Sequence, residues 1–163
     1  MLALDVDEDD VEAVKWLRLA AEKGDVEAMN SLGRSLDEGE GVDIDDVQAV
    51  FWYRAAAEKG SVSAMNNLGW MLQYGEGVTE DDIEAAKWFL AAAEKGNATA
   101  MNSLGLMYAT GEGVPRNATI ASREIINGMR NGNRWFIDNH EGRVERDVRI
   151  EIQKALSQET PHG

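Results

Sequence analysis

The side chains able to do chemistry are few and poorly placed for it. The 163-residue chain has no cysteine, which removes disulfides, thiolate metal sites and cysteine nucleophiles together. Of its two histidines, His162 is next to last, and His140 sits beside Glu141 without the second histidine of a helical zinc motif. The acidic run Asp5-Val6-Asp7-Glu8-Asp9-Asp10 looks like the start of a calcium loop. It lacks the central glycine, and Trp16 stands where the closing glutamate would have to bind. Aspartates recur in pairs at 9–10, 45–46 and 81–82, always 36 residues apart, so they read as helix caps and not as a catalytic dyad. Gly39-Glu40-Gly41 follows no strand and makes no phosphate cradle. Asn97-Ala98-Thr99 and Asn117-Ala118-Thr119 match the glycosylation pattern, which matters only in a secreted eukaryotic chain. No catalytic, metal or cofactor site emerges, and the expectation is a protein that is not an enzyme.

Charge narrows the partners. The net charge is −14, and residues 1–116 carry all of the excess, with 23 acidic against 9 basic side chains. Residues 117–163 hold 7 of each. Such a surface repels phosphate backbones and anionic membranes and suits a basic protein. No apolar run is long enough to span a bilayer. The N-terminus turns acidic at Asp5, without the basic start and apolar stretch of a secretory signal. That favours the cytoplasm, although zero cysteines suit cytosol and periplasm alike.

The elements that position these residues are repeated. Gly24, Gly60, Gly96 and Gly132 are 36 residues apart, as are Trp16, Trp52 and Trp88, and Gly33, Gly69 and Gly105. Three copies, 9–44, 45–80 and 81–116, run from paired aspartates through Ala-x-x-Trp, Ala-Glu-Lys-Gly and Ala-Met-Asn-x-Leu-Gly to Gly-Glu-Gly-Val. This period is the size of one helical hairpin. Ala13, Trp16, Leu17, Ala20 and Ala21 have the helical rhythm of an inward stripe, and Ala28, Met29, Leu32, Gly33 and Leu36 that of a second one. Glycine within a helix costs about 1 kcal/mol relative to alanine. Its recurrence at 33, 69 and 105 predicts helices touching backbone to backbone. Asn30, Asn66 and Asn102 recur unchanged and predict hydrogen bonds between repeats.

The pattern resembles the Sel1-like repeat, a relative of the tetratricopeptide repeat. The residues that carry it are Ala28, Leu32-Gly33, Gly39-x-Gly41-Val42, Ala49, Trp52-Tyr53 and Ala56-Ala57, with their counterparts 36 residues away, over about 6–132. The resemblance implies an all-α, right-handed superhelical solenoid of antiparallel helix pairs that serves as an adaptor, in a single domain spanning 1–163. A degenerate fourth repeat at 117–142 keeps Ile120, Ala121, Ile125 and Met129 but has Glu124 in the tryptophan slot. A helix over 143–157, with Val144, Val148, Ile152 and Leu156 at steps of four, is expected to cap the solenoid. The N-terminal end has no such cap: either the solenoid is excised from a longer one, or Val11, Val14 and their neighbours are covered by a partner or by a second copy in a homodimer through that end.

Recognition residues should vary between copies where scaffold residues do not. Lys15 becomes Phe51 and Lys87, Leu17 becomes Tyr53 and Phe89, and Arg18 becomes Arg54 and Leu90. In the second helix Arg34 becomes Trp70 and Leu106, and Glu38 becomes Tyr74 and Thr110. Lys15, Phe51, Tyr53, Arg54, Trp70, Tyr74 and Lys87 are therefore expected to line a concave groove that binds a peptide or protein, aromatic rings being the usual anchors. The alternative is a dedicated inhibitor, such as an immunity protein masking a basic bacterial toxin.

Overall fold

The computed structural model describes residues 8–133 and 146–157. Every regular element among them is a helix: α1 (Glu8–Glu22), α2 (Val26–Glu38), α3 (Asp46–Glu58), α4 (Val62–Tyr74), α5 (Asp82–Glu94), α6 (Ala98–Thr110), α7 (Ala118–Arg130) and α8 (Arg146–Ser157). The chain divides into two compact units, residues 1–80 and 81–163.

Side chains set the helix starts. Asp25, Asp45, Ser61, Asp81, Asn97 and Asn117 each accept a hydrogen bond from the backbone N–H three residues on, which satisfies one of the unpaired donors of a first turn. The asparagines of both glycosylation-like triplets are thus helix caps, at 2.8 Å for Asn97 and 3.0 Å for Asn117. The first copy departs from the expected phase. α1 begins at Glu8, so Asp9 and Asp10 lie inside its first turn, whereas their counterparts Asp45 and Asp81 stand just outside α3 and α5.

Glycines set the stops. Gly39 closes α2 in the left-handed conformation, with φ at 74°, where a Cβ is costly. Gly41, at φ 68°, lies so close to α1 that a Cβ would strike the Asp10 carbonyl and come within 2.9 Å of the Val11 nitrogen. The Gly-Glu-Gly-Val turn is thereby pinned to the first helix of its own hairpin.

In the first unit α1 packs on α2, α2 on α3 and α3 on α4. The core between them is made of alanines and a few large groups: Leu32, Leu36, Ala49, Tyr53, Ala56 and Leu68 are each sealed from solvent. The backbone-to-backbone contact expected at the recurrent glycine is not what Gly33 makes, since its close neighbour is a side chain. A Cβ on Gly33 would sit 2.7 Å from the Tyr53 ring. In the second unit α5 packs on α6, α6 on α7 and α7 on α8. There a Cβ on Gly105 would meet the Ile125 side chain at 2.7 Å and the Ala121 carbonyl oxygen at 3.1 Å. Gly69 is buried as well.

The closing helix covers the end of the second unit. Val148 is fully buried and joins a cluster of Ala109, Ala121 and Ile125, with Ile152 packed against it. Arg116 ties this helix down by donating to both carboxylate oxygens of Asp147 at 2.9 and 3.0 Å, while its Nε donates to the Ala109 carbonyl. The guanidinium holds the Asp147 carboxyl below the usual carboxylate range. Val144 and the Leu156 side chain, also expected inward, lie outside the described residues, as do Trp135, His140 and His162.

The recurrent asparagines partly fulfil their expected role. Asn67 donates to Asn30 across the first and second repeats at 3.3 Å, and Asn102 donates to the Asn133 carbonyl at 3.2 Å. The Oδ1 atoms of Asn66 and Asn102 are buried without a hydrogen-bond partner among the described residues.

Candidate protein-binding groove

Tyr53 was expected on the recognition face, but it is 1% exposed. Its ring lies over Gly33, and its hydroxyl donates to Asp37 at 3.2 Å. Burial, then the Asp37 charge, raise its pKa far above the ordinary tyrosine value. Phe89 is likewise fully buried. The tryptophan slot, read as part of the inward stripe, is the more open one: Trp16 is 64% exposed, and Trp52 and Trp88 are half-buried. Both results mean that the inward stripe is rotated toward positions 53 and 89.

Asp37 carries the cost of that packing. Burial raises its carboxyl above the usual range, the Tyr53 hydrogen bond partly offsets this, and the Asp46 charge adds to it. A carboxyl with a raised folded-state pKa favours the folded state only as it protonates, so the penalty is present at neutral pH and fades as pH falls through the raised value toward 3.8. Asp37→Asn keeps an acceptor for Tyr53 and removes the charge. The variant is expected to be at least as stable as the wild type at pH 7 and to lose that advantage at pH 3.5 or so, as read by urea melts at both values. A variant less stable at pH 7 would show that the charged bond to Tyr53 outweighs desolvation.

The remaining first-helix positions recur at equivalent places in successive repeats. In the first unit, a groove of about 450 Å³ runs between α1 and its turn, lined by Val11, Val14, Lys15 and Arg18 with Gly41 and Val42. In the second unit, a groove of about 230 Å³ is lined by Ile83, Ala86, Lys87 and Leu90 with Gly113 and Val114. These are the same positions two periods on. In the middle repeat they hold Val47, Val50, Phe51, Arg54, Gly77 and Val78. Val47 and Phe51 are 68% and 62% exposed, and Phe51 meets Trp52 edge to face at 5.0 Å.

Cations recur at the groove positions: Lys15 and Arg18, with Glu22, beside α1 and Lys87 beside α5, and Arg54 at the matching position of α3. Lys15 pairs with Glu12 at 3.6 Å across two exposed side chains, and Arg18 donates to Gln48 at 3.3 Å. Contacts this exposed are worth little and are readily exchanged for a partner's. Trp70 and Tyr74 belong to the outward side of α4 and stack on each other, with rings 5.4 Å apart and 5° from parallel. Tyr74 is 57% exposed and Trp70 half-buried. Thus Lys15, Phe51, Arg54 and Lys87 share one repeated groove position set, while Trp70 and Tyr74 form a separate ring pair.

Among the described residues, no group of three or more histidine, aspartate or glutamate side chains is placed to hold a metal ion. No described helix is long and apolar enough to cross a membrane.

Helical hairpins repeated at a fixed period, docked through glycine and alanine and leaving apolar grooves beside α1 and α5, define a repeat protein of the helical-solenoid class. The Sel1 repeat model matches residues 3–25, 26–61, 62–97 and 98–121, so the chain belongs to the Sel1 repeat family, whose fold serves as a scaffold for protein interaction. Among solved structures, a Sel1 repeat protein from Oxalobacter formigenes is similar over 91% of this chain, at 30% identity and a TM-score of 0.74. A protective antigen of uropathogenic Escherichia coli with an SLR fold is similar over 91%, at 32% identity and a TM-score of 0.73. The chain spans 65% and 34% of the lengths of these two proteins. No curated protein matches the sequence.

Proposed function

We propose that the chain is a non-catalytic adaptor that holds a peptide or protein segment along the groove beside its first helices. The observation that carries this reading is the recurrence of one lining, apolar walls with a cation, in grooves two periods apart, beside α1 and beside α5. A segment presenting apolar side chains with carboxylates beside them fits that lining. Phe51 is the anchor, because a large ring held in a partly open position gains most from being covered. The test is affinity capture of the partner with mass spectrometry, followed by titration with purified components. Phe51→Ala should weaken binding roughly tenfold to hundredfold while leaving the melting temperature unchanged. Undiminished binding by a folded Phe51→Ala protein would remove the groove assignment.

A second reading is a dedicated inhibitor that masks a basic protein, such as a bacterial toxin. It rests on the 23 acidic against 9 basic side chains in residues 1–116. Charge masking weakens steeply as salt is raised, whereas apolar anchoring at Phe51 does not, so the salt dependence of the same titration separates the two.

A further inference from the structure

The pocket beside α5 is built from different side chains than its counterparts. Its walls include Ile83, Ala86, Lys87, Leu90, Leu104 and Tyr108, among which Lys87 alone is charged. The slot of Leu90 holds Arg18 and Arg54 in the first two repeats, and the slot of Tyr108 holds Leu36 and Leu72. Those two leucines are each 1% exposed, whereas Tyr108 is half-buried and Leu90 is 43% exposed. The third repeat thus opens apolar surface here and keeps a single cation on it. The far wall is fixed in place, because Gly113, at φ 67°, lies so close to α5 that a Cβ would strike the Asp82 carbonyl. The cavity holds about 230 Å³, below the roughly 300–1,000 Å³ of small-molecule sites. That is room for one large side chain. Lys87 is also uncommitted. The neighbouring acids are engaged elsewhere: Asp81 accepts from the Glu84 backbone N–H at 2.9 Å, and Glu84 accepts from the Trp88 indole at 3.2 Å. Among the described residues Lys87 makes no ion pair or hydrogen bond.

We infer that this pocket takes one large apolar side chain of a partner segment, of leucine or phenylalanine size, while an aspartate or glutamate close to it in that segment pairs with Lys87. The inference rests on the adaptor reading and names the chemistry that its partner must carry at the third repeat. Charge selects the occupant. A lone ammonium is a point charge suited to one carboxylate, and it lacks the planar fork with which arginine grips phosphate or a carboxylate through two bonds. A basic residue beside the anchor would meet Lys87 as a like charge. The net charge of −14 in turn repels a segment crowded with acids. One acid beside the anchor, with neutral or basic residues elsewhere, satisfies both conditions. A filled apolar pocket with a charge at its edge is also the usual form of an interface anchor.

The experiment is binding of the whole chain to a synthetic library of short random peptides, printed with free and with amidated carboxyl ends, followed by titration of the best binders. Bound sequences should share a large apolar residue with one acid close by, and should bind equally well with amidated ends. Replacing that apolar residue by alanine should weaken binding roughly tenfold to hundredfold. Lys87→Glu changes an exposed side chain, so its helical circular dichroism should match the wild type. It should weaken the same peptides roughly tenfold, and peptides with the acid exchanged for lysine should recover that loss on the variant. Peptides that depend on Phe51 but are indifferent to Lys87→Glu would overturn this inference and leave the adaptor reading standing. Binding that requires a free carboxyl end would overturn the assignment of the acid to a side chain. A wild-type chain that binds no peptide in the library would overturn both readings.

Discussion

Replacing Gly105 with leucine is expected to destabilise the second unit by more than about 3 kcal/mol, above the usual range for overpacking. The gap it occupies is bounded on two sides by α7. An added Cβ already meets the Ile125 side chain at 2.7 Å and, at 3.1 Å each, the Ala121 carbonyl oxygen and the Ile125 nitrogen. A side chain can rotate away, but a carbonyl and an amide within a helix move only with the helix. Displacing α7 also disturbs Ala121 and Ile125, on which Val148 of the closing helix rests. Gly105→Ala is the finer test. Alanine improves helix propensity by about 1 kcal/mol, so a net loss of about 1–3 kcal/mol requires a steric cost larger than that gain. Urea unfolding of both variants decides the matter, and an alanine variant as stable as the wild type would mean that the helices do not rely on this contact.

Such contacts were legible because their cause is covalent. A helix can approach another at 33 or 105 only if no Cβ intervenes, and a recurrent helical glycine announces that need directly. The alanines at 49, 56, 85 and 92 follow the same logic, and their period gives the repeat, its hairpins and its turns. The rotation of the first-helix stripe was harder to read. Tryptophan is large and invariant, so position 16 and its counterparts looked like core, whereas position 17 changed from Leu17 to Tyr53 to Phe89 and looked like recognition. The signal that separates them is chemical class. Leu17, Tyr53, Phe89 and Ile125 differ in size, yet none is charged or small. In contrast, the groove positions mix Lys15 with Phe51 and Arg18 with Leu90. Variation confined to apolar residues marks a contact that each pair of helices fills in its own way, over Gly33 with a flat ring and over Gly105 with a branched chain. Burial of the tryptophan slot was illegible for another reason. It depends on what lies against each helix, and the same Ala-x-x-Trp is largely exposed at Trp16 and half-buried at Trp52 and Trp88.

The last expectation sets two neighbouring rings of α3 against each other. Tyr53→Ala should cost about 3–5 kcal/mol, the usual range for deleting a buried aromatic side chain, because the ring fills the space over Gly33 and nothing nearby can collapse into it. Tyr53→Phe keeps the ring and loses only the hydroxyl bond to Asp37, worth about 0.5–1.5 kcal/mol; the half-buried Asp37 can turn to water instead. Tyr53→Leu, which installs the residue of the first repeat, should fall between the two. Phe51 lies two residues away on the outward side of the same helix, and Phe51→Ala should change stability by no more than about 0.5 kcal/mol. Thermal and urea melts of the four variants therefore order as Tyr53→Ala, Tyr53→Leu, Tyr53→Phe and Phe51→Ala, from least to most stable. Binding runs the other way, with Phe51→Ala losing affinity at full stability and Tyr53→Phe keeping it. If Tyr53→Ala melts like the wild type, then Tyr53 is not core and belongs with the recognition residues. If Phe51→Ala unfolds readily, the exposed ring is holding α3 in place and the groove has lost its anchor.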